Sequence, residues 1–219
     1  KTDPVENPRQ IGLFLVERDM PGFERGRNLK KMGKKAQDTA ELFFNNVRIP
    51  KQNVLGDPAK GFSYLMEALA EERLIAATEF IAAAQKAFDI TLEFVRERKM
   101  FGRSLADFQN TQFKLAELRA ELDMQQVYID QCVAAVNRGA LTAIDAAKAK
   151  LVTSELLCRV VDEGVQLHGG SGYMDEYPIS RMYTDARITR IYAGTSEVMK
   201  LLIGRDFLQQ DYKPFIDRV

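Results

Sequence analysis

Two patterns of apolar spacing divide the chain. From Gly61 onward, hydrophobic residues recur every three or four positions, the period of a helix face, and they do so almost to the end. The first predicted helix runs from Phe62 to about Arg98. On it Phe62, Leu65, Leu69, Ala76 and Phe80 fall on one line, and Glu72 completes the seven-residue step between Leu69 and Ala76. Glu71 falls off that line, nearer Glu67. A carboxylate placed where a helix ordinarily carries Leu has its charged form disfavoured and is a candidate proton acceptor. The plainer reading, a solvated charge run Glu71-Glu72-Arg73, competes with it on spacing alone.

After a break at Phe101-Gly102-Arg103-Ser104, a second helix is predicted from Asn110 to Asn137. Its stripe is Leu115, Leu118, Leu122, Ile129, Val133 and Val136, and Gly139 serves as its C-terminal cap. Thr142 with Asp145 three residues on marks a third start, and that helix reaches about Leu167. His168-Gly169-Gly170-Ser171-Gly172 breaks the pattern. A short helix is predicted over Pro178–Arg187, with proline at a first-turn position, and a last one from Thr195 to Leu208. Long helices with short connections predict a mainly α fold built on a four-helix bundle.

Upstream the pattern is extended. Ile11 to Val16 is an apolar run that suits a strand buried on both faces. Asp19-Met20-Pro21-Gly22 is a turn signal. Thr39–Phe44 is a second strand candidate, Asn45-Asn46 a break, and Val47–Pro50 a resumption. Two or three strands make a poor independent sheet. Residues 1–55 are therefore expected to be part of a β-domain, and Gly56-Asp57-Pro58 to join it to a helical domain over 56–219.

Composition narrows the function classes. Thirty-one basic and 31 acidic residues cancel, which favours neither a nucleic-acid footprint nor a polybasic membrane patch. No apolar run is long enough to span a bilayer. A single histidine, His168, excludes a multi-histidine metal site, and no metal is expected. Cys132 and Cys158 lie in helical segments and read as small core hydrophobes of a reducing compartment.

Two glycine-containing loops are candidates for ligand contact. Gln166-Leu167-His168-Gly169-Gly170-Ser171-Gly172-Tyr173 lets backbone approach a ligand closely. Ala193-Gly194-Thr195-Ser196-Glu197 opens a helix, so free N–H groups and a positive dipole end face whatever sits there, a seat for phosphate or a developing oxyanion. Glycine before an N-cap Thr is also ordinary capping. The cations of Arg96-Glu97-Arg98-Lys99 suit a helix C-terminus without any ligand, and His168 alone suits a structural role.

Taken together, MGKKAQDTAELFFNNVRIP, EERL, RERKMFGRSLADFQ, VQLHGGSGYMDEYPISRMYTDARI and IYAGTSEVMK closely resemble the acyl-CoA dehydrogenases, and most of all their long-chain branch. The resemblance covers the whole chain as the end of the middle β-domain plus the C-terminal helical domain. It implies FAD-dependent α,β-dehydrogenation of acyl-CoA thioesters, with long-chain substrates expected, to trans-2-enoyl-CoA in fatty-acid β-oxidation. Many members carry the catalytic glutamate just before the Gly-Thr of the last motif, which here is Ala193. The long-chain and isovaleryl types carry it before Arg-Leu in the first helix of the domain, which here is Glu72. Glu72 would then take the pro-R α-proton while a hydride leaves the β-carbon for FAD. The N–H of Ala193 would donate to the thioester oxygen, Gly194 would let substrate lie close, and Ala70, Glu71 and Arg73 would flank it. Ser63 stands before Tyr64 where the long-chain type has a substrate-contacting tyrosine.

For FAD, the resemblance implies contacts from Arg98, Phe101 and Gln109 to the cofactor of a neighbouring subunit. Gln166, Leu167, His168, Gly169 and Gly170 would contact adenosine and phosphate, and Thr195, Ser196 and Glu197 would add helix-start contacts. It further implies a homo-oligomer built as a dimer of dimers, and electron-transferring flavoprotein as electron acceptor. The expected compartment is a bacterial cytoplasm or a mitochondrial matrix. The family's N-terminal helical domain and first half of the β-domain are not in the sequence, so the chain is expected to represent a C-terminal half. Two other readings stay open: a non-catalytic helical assembly fragment of such an enzyme, and a same-fold flavin oxidase or monooxygenase. An intact Glu72 argues against the latter.

Overall fold

Five helices and three small antiparallel ladders make up the computed structural model, which describes residues 1–3, 5–8, 10–209 and 211–217. The helices are α1 (Gly61–Glu97), α2 (Gln109–Asn137), α3 (Ala143–His168), α4 (Pro178–Ala186) and α5 (Ser196–Phe207). Their ends follow local chemistry. α2 ends in a Schellman motif: the Gly139 N–H donates to Val136 O and the Ala140 N–H to Ala135 O, both at 2.8 Å. Gly139 supplies the positive φ that this closure requires. α3 opens with a capping box between Thr142 and Asp145. Thr195 caps α5, its Oγ1 accepting from the Val198 N–H.

The chain divides into two compact units, Lys1–Leu69 and Ala70–Val219. In the second, contacts between side chains set the helix directions. α2 and α3 run antiparallel, since Lys114 pairs with Glu163, Glu121 with Arg159, and the Tyr128 hydroxyl donates to Asp145 O. α1 and α3 run parallel. Arg73 and Lys150 both reach the 193–194 loop, while Phe94 stacks on His168.

The core between these helices rests on small residues. Along α1 the buried line is Arg73–Leu74, Ala77, Phe80–Ile81, Ala84, Ala87–Phe88, Thr91 and Val95. This corrects the expected stripe. Phe62 and Leu65 are exposed, and Glu72 is exposed about a third of a turn from the midline of the buried face. Glu72 therefore does not take the place of a core leucine. The reason is the alanines Ala77, Ala84 and Ala87, which take buried positions in the core but score weakly against the bulkier line beside them. α2 repeats the lesson: Leu118, Leu122 and Ile129 are buried as expected, but Val133 is exposed and Cys132 and Ala135 take the inner positions. Both cysteines are free and buried.

In the first unit, β1 (Leu13–Phe14) pairs with β4 (Val54–Leu55) and β2 (Phe23–Asn28) with β3 (Ala40–Phe44). The Ile11–Val16 run yields only the two-residue β1, and Phe14 and Leu15 are exposed instead of buried on both faces. Its partner is equally short and covers neither face. β2, FERGRN, is too polar for apolar alternation to reveal. Val47–Pro50 forms no strand; Pro50 leads into a 3-10 turn over Lys51–Asn53. The Met20–Phe23 turn stands as expected, closed by the Phe23 N–H on Met20 O at 3.1 Å.

Candidate functional site

Two groups of the expected site residues occupy opposite ends of the parallel α1–α3 pair. The first end gathers around the loop before α5. Arg73, one residue beyond Glu72, is turned inward and 8% exposed, and its Nε donates to Ala193 O at 3.3 Å. Lys150 is fully buried in α3, and its Nζ donates to Gly194 O at 2.6 Å. Burial holds both cations below their ordinary pKa values; for Lys150 the nearby Glu155 opposes that shift and Arg73 adds to it.

Between the two cations the loop takes an uncommon backbone. Ala193 has φ 54°, a left-handed conformation that costs a residue with a Cβ about 1–2 kcal/mol. Gly194 has φ 100°, and a Cβ there would stand 2.5 Å from the Met199 Cε. In a trans peptide the C=O and N–H point opposite ways. With the carbonyls of Ala193 and Gly194 drawn to buried cations, the N–H groups of Gly194 and Thr195 point away from them. Among the described residues, the N–H groups of Ala193, Gly194 and Thr195 have no acceptor. They are free donors just before a helix N-terminus, a setting suited to an anionic oxygen.

The start of α5 is braced from behind. Ser196 is buried, and its hydroxyl donates to Glu155 Oε1 at 2.6 Å, while Glu155 Oε2 pairs with Arg190 at 2.8 Å. Ser196 thus spends its hydroxyl on the fold. Glu197 is exposed, its carboxyl held low by its own backbone N–H and by the Thr195 hydroxyl. Ala70 is half-buried and Glu71 exposed, on the same stretch of α1 as the exposed Glu72.

The second end is built from rings and glycines. His168 Nδ1 carries a proton to Gly164 O at 2.7 Å, since a carbonyl only accepts. Its ring stacks on Phe94 at 4.1 Å and meets Tyr177 edge-on at 6.2 Å. Burial lowers its pKa, opposed by the Gly164 hydrogen bond. Gly169 and Gly170 lie open, with nothing within 4 Å of a Cβ built on either. Gln166 is exposed and Leu167 half-buried. Beside them β5 (Lys99–Met100) and β6 (Arg103–Ser104) form a hairpin. Phe101 sits at its tip with φ 52° and is 89% exposed. Arg98 and Gln109, both exposed, flank the hairpin, which is tied to α1 by the Leu105 N–H on Arg98 O and the Ser104 hydroxyl on Val95 O, each 2.8 Å.

Sequence reasoning did not single out Lys150 or Glu155. A signal for Lys150 was present: Ala146, Lys150, Thr153 and Leu157 step by four, three and four, and all are buried. Among the described residues no cluster of His, Cys, Asp and Glu could hold a metal ion, and no helix is long and apolar enough to cross a membrane.

Comparison with known proteins agrees on one family. Residues 59–208 match the model of the acyl-CoA dehydrogenase C-terminal domain. The chain is 48% identical over 198 residues to the mitochondrial long-chain specific acyl-CoA dehydrogenase of Rattus norvegicus, covering 90% of this chain and 46% of that protein. The acyl-CoA dehydrogenase of Geobacillus kaustophilus superposes with a TM-score of 0.93 at 44% identity, over 95% of this chain and 56% of its own. An acyl-CoA dehydrogenase of Bacillus anthracis, solved in complex with FAD, gives 0.85 at 32% identity, over 90% and 37%. The chain spans about half the length of the curated relatives it matches.

Proposed function

The chain belongs to the acyl-CoA dehydrogenase family, and on that premise we propose that its protein dehydrogenates long-chain acyl-CoA thioesters to trans-2-enoyl-CoA, with FAD as cofactor and Glu72 as the α-proton acceptor. One observation carries the assignment. Arg73 donates to Ala193 O at 3.3 Å, which brings the Glu71-Glu72-Arg73 turn of α1 against the loop of unpaired N–H groups. The contact supports this reading because the proposed base is the neighbour in sequence of the residue that meets the loop. Arg73, turned inward, serves this arrangement by holding the loop.

The division of labour follows from charge. An α-proton of a thioester is far too weakly acidic for a carboxylate unless the oxygen that gains charge is stabilised. The Ala193 N–H and its unpaired neighbours stabilise that oxygen, and Glu72 takes the proton. Gly194, which has no room for a Cβ against the buried Met199, lets the loop backbone take the conformation that presents these N–H groups. FAD held beside this site would supply the acceptor for the hydride that leaves the β-carbon. The open Gly169–Gly170 turn and the exposed, left-handed Phe101 tip fit a large cofactor that must lie against backbone. Arg98, Phe101, Gln109 and residues 166–170 would hold it at that end, the last through backbone because the His168 ring is buried. Thr195 and Glu197 would add contacts at the start of α5, with Ser196 acting through its backbone. The contribution of hairpin residues to a neighbouring subunit's cofactor makes a dimer of dimers the expected assembly. Electron-transferring flavoprotein is the expected acceptor, in a mitochondrial matrix or bacterial cytoplasm. On this reading residues 1–55 would be the end of the middle β-domain and 56–219 the C-terminal helical domain.

The test is an anaerobic absorbance spectrum of the purified protein titrated with saturated acyl-CoAs of graded length. Bleaching of the visible flavin band by long chains, absent in Glu72→Gln, is the expected result. Bleaching that survives Glu72→Gln overturns the choice of base. A flavin that no acyl-CoA bleaches overturns the dehydrogenase reading.

A further inference from the structure

Lys150 is the only fully buried lysine among the described residues. Its Nζ meets a backbone carbonyl, Gly194 O at 2.6 Å, and no carboxylate lies within ion-pair distance among the described residues. A buried ammonium without a directly paired carboxylate is costly, and an apolar side chain of similar length would fill the same volume without that cost. Packing therefore does not account for it. Its single hydrogen bond goes to the loop that carries the unpaired N–H groups, and Arg73 makes the matching bond one peptide earlier.

We propose that Lys150 is a positioning residue of the reaction: its charge on the Gly194 carbonyl, with that of Arg73 on the Ala193 carbonyl, locks the 193–195 backbone and polarises it toward an oxygen acquiring negative charge. Each cation pulls on the carbonyl edge of a peptide whose opposite edge is a free N–H, so the Gly194 and Thr195 N–H groups become stronger donors. The same two contacts hold Ala193 in its left-handed conformation and thereby fix the direction of its own N–H. Two positive charges stand behind the loop, and the N-terminus of the twelve-residue α5 adds its dipole from the same side. The inference rests on the reading that residues 193–195 receive a thioester oxygen, and it names the group behind that seat.

The experiment uses the flavin-loaded protein and a trans-2-enoyl-CoA isotopically labelled at its thioester carbonyl. Infrared difference spectroscopy reads the carbonyl stretch of the bound ligand against the free one. A downshift is expected in the wild type. In Lys150→Gln, which keeps a donor for the carbonyl but removes the charge, the downshift is expected to fall to about half or less. In that variant kcat should drop about 10- to 100-fold, with KM changing by no more than about threefold. Lys150→Met is the second variant, should the glutamine variant not fold, and the same loss is expected. An unchanged downshift in a folded, ligand-bound variant overturns the role of Lys150. Absence of a downshift in the wild type overturns instead the thioester seat on which the inference rests.

Discussion

The two ends of the α1–α3 pair solve the same problem with different forces. Arg73 and Phe94 are separated by 21 residues of one helix, about 30 Å at 1.5 Å per residue. At the Arg73 end a loop is held by charge: two buried cations on two consecutive carbonyls, with Ser196, Glu155 and Arg190 linked behind. At the Phe94 end a loop is held by shape, through a stacked histidine and a glycine with no room for a side chain. Charge placed behind backbone amides prepares a site for a reacting oxygen. Ring packing beneath an open glycine turn prepares a surface for a large ligand and places no charge at a reacting atom.

Substitutions can separate the two. The largest expected effect lies at the charged end, where Glu72→Gln should slow flavin bleaching by about 10³-fold or more. Because Glu72 is exposed and outside the core, its thermal midpoint should stay within about 2 °C of wild type. A large fall in the midpoint would mean that Glu72 has a structural role the comparison denies it. Gly172→Ala is the opposite case. A Cβ there would lie 2.6 Å from Val165 O and 2.8 Å from the His168 Cβ, so stability should drop by about 1–3 kcal/mol in denaturant titration. Any flavin that variant retains should still bleach at close to the wild-type rate.

A smaller, pH-dependent effect distinguishes the packed histidine. The folded pKa of His168 is lowered, so the unfolded chain binds its proton more readily. The stability due to neutral His168 is present above the ordinary imidazole value of 6.5 and is lost as pH falls below it toward the lower folded value. Each unit of depression corresponds to about 1.4 kcal/mol. In His168→Phe, which keeps a ring against Phe94, the component of acid destabilisation below pH 6.5 should disappear when the two are compared by denaturant melts. The smallest effect is at the hairpin tip. Phe101→Gly relieves a left-handed backbone and should stabilise the fold by about 0.5–1 kcal/mol, while flavin retention on dilution falls. A variant that retains flavin as well as wild type would remove Phe101 from the cofactor surface.

The parts of this arrangement legible in the sequence are those governed by local chemistry. The Thr142–Asp145 capping box, the Gly139 closure and the Thr195 cap each depend on a few adjacent residues, and each is found as read. The phase of α1 was misread because it is set by a partner. Ala77, Ala84 and Ala87 are buried in a core shared with residues of α2 and α3, and a hydrophobicity pattern favours Phe62 and Leu65 on the exposed side. The family motif nevertheless pointed to Glu72 even though the burial argument for it fails. β2 was invisible because FERGRN pairs through its backbone and exposes most of its side chains. Lys150 was overlooked for the converse reason: a lysine on an apolar line reads as surface until a carbonyl from another segment is found against it.

The two thiols turn the interior into a clock. Cys132 on α2 and Cys158 on α3 are both buried, and desolvation pushes the Cys132 thiol up to about 11. A thiol reagent in neutral solution meets neither until a helix lifts away. The rate at which each sulfur is modified should therefore time the opening of its own helix, with no label added to the protein. Equal rates for the two would mean that α2 and α3 leave the core in one event, and unequal rates that one helix departs first.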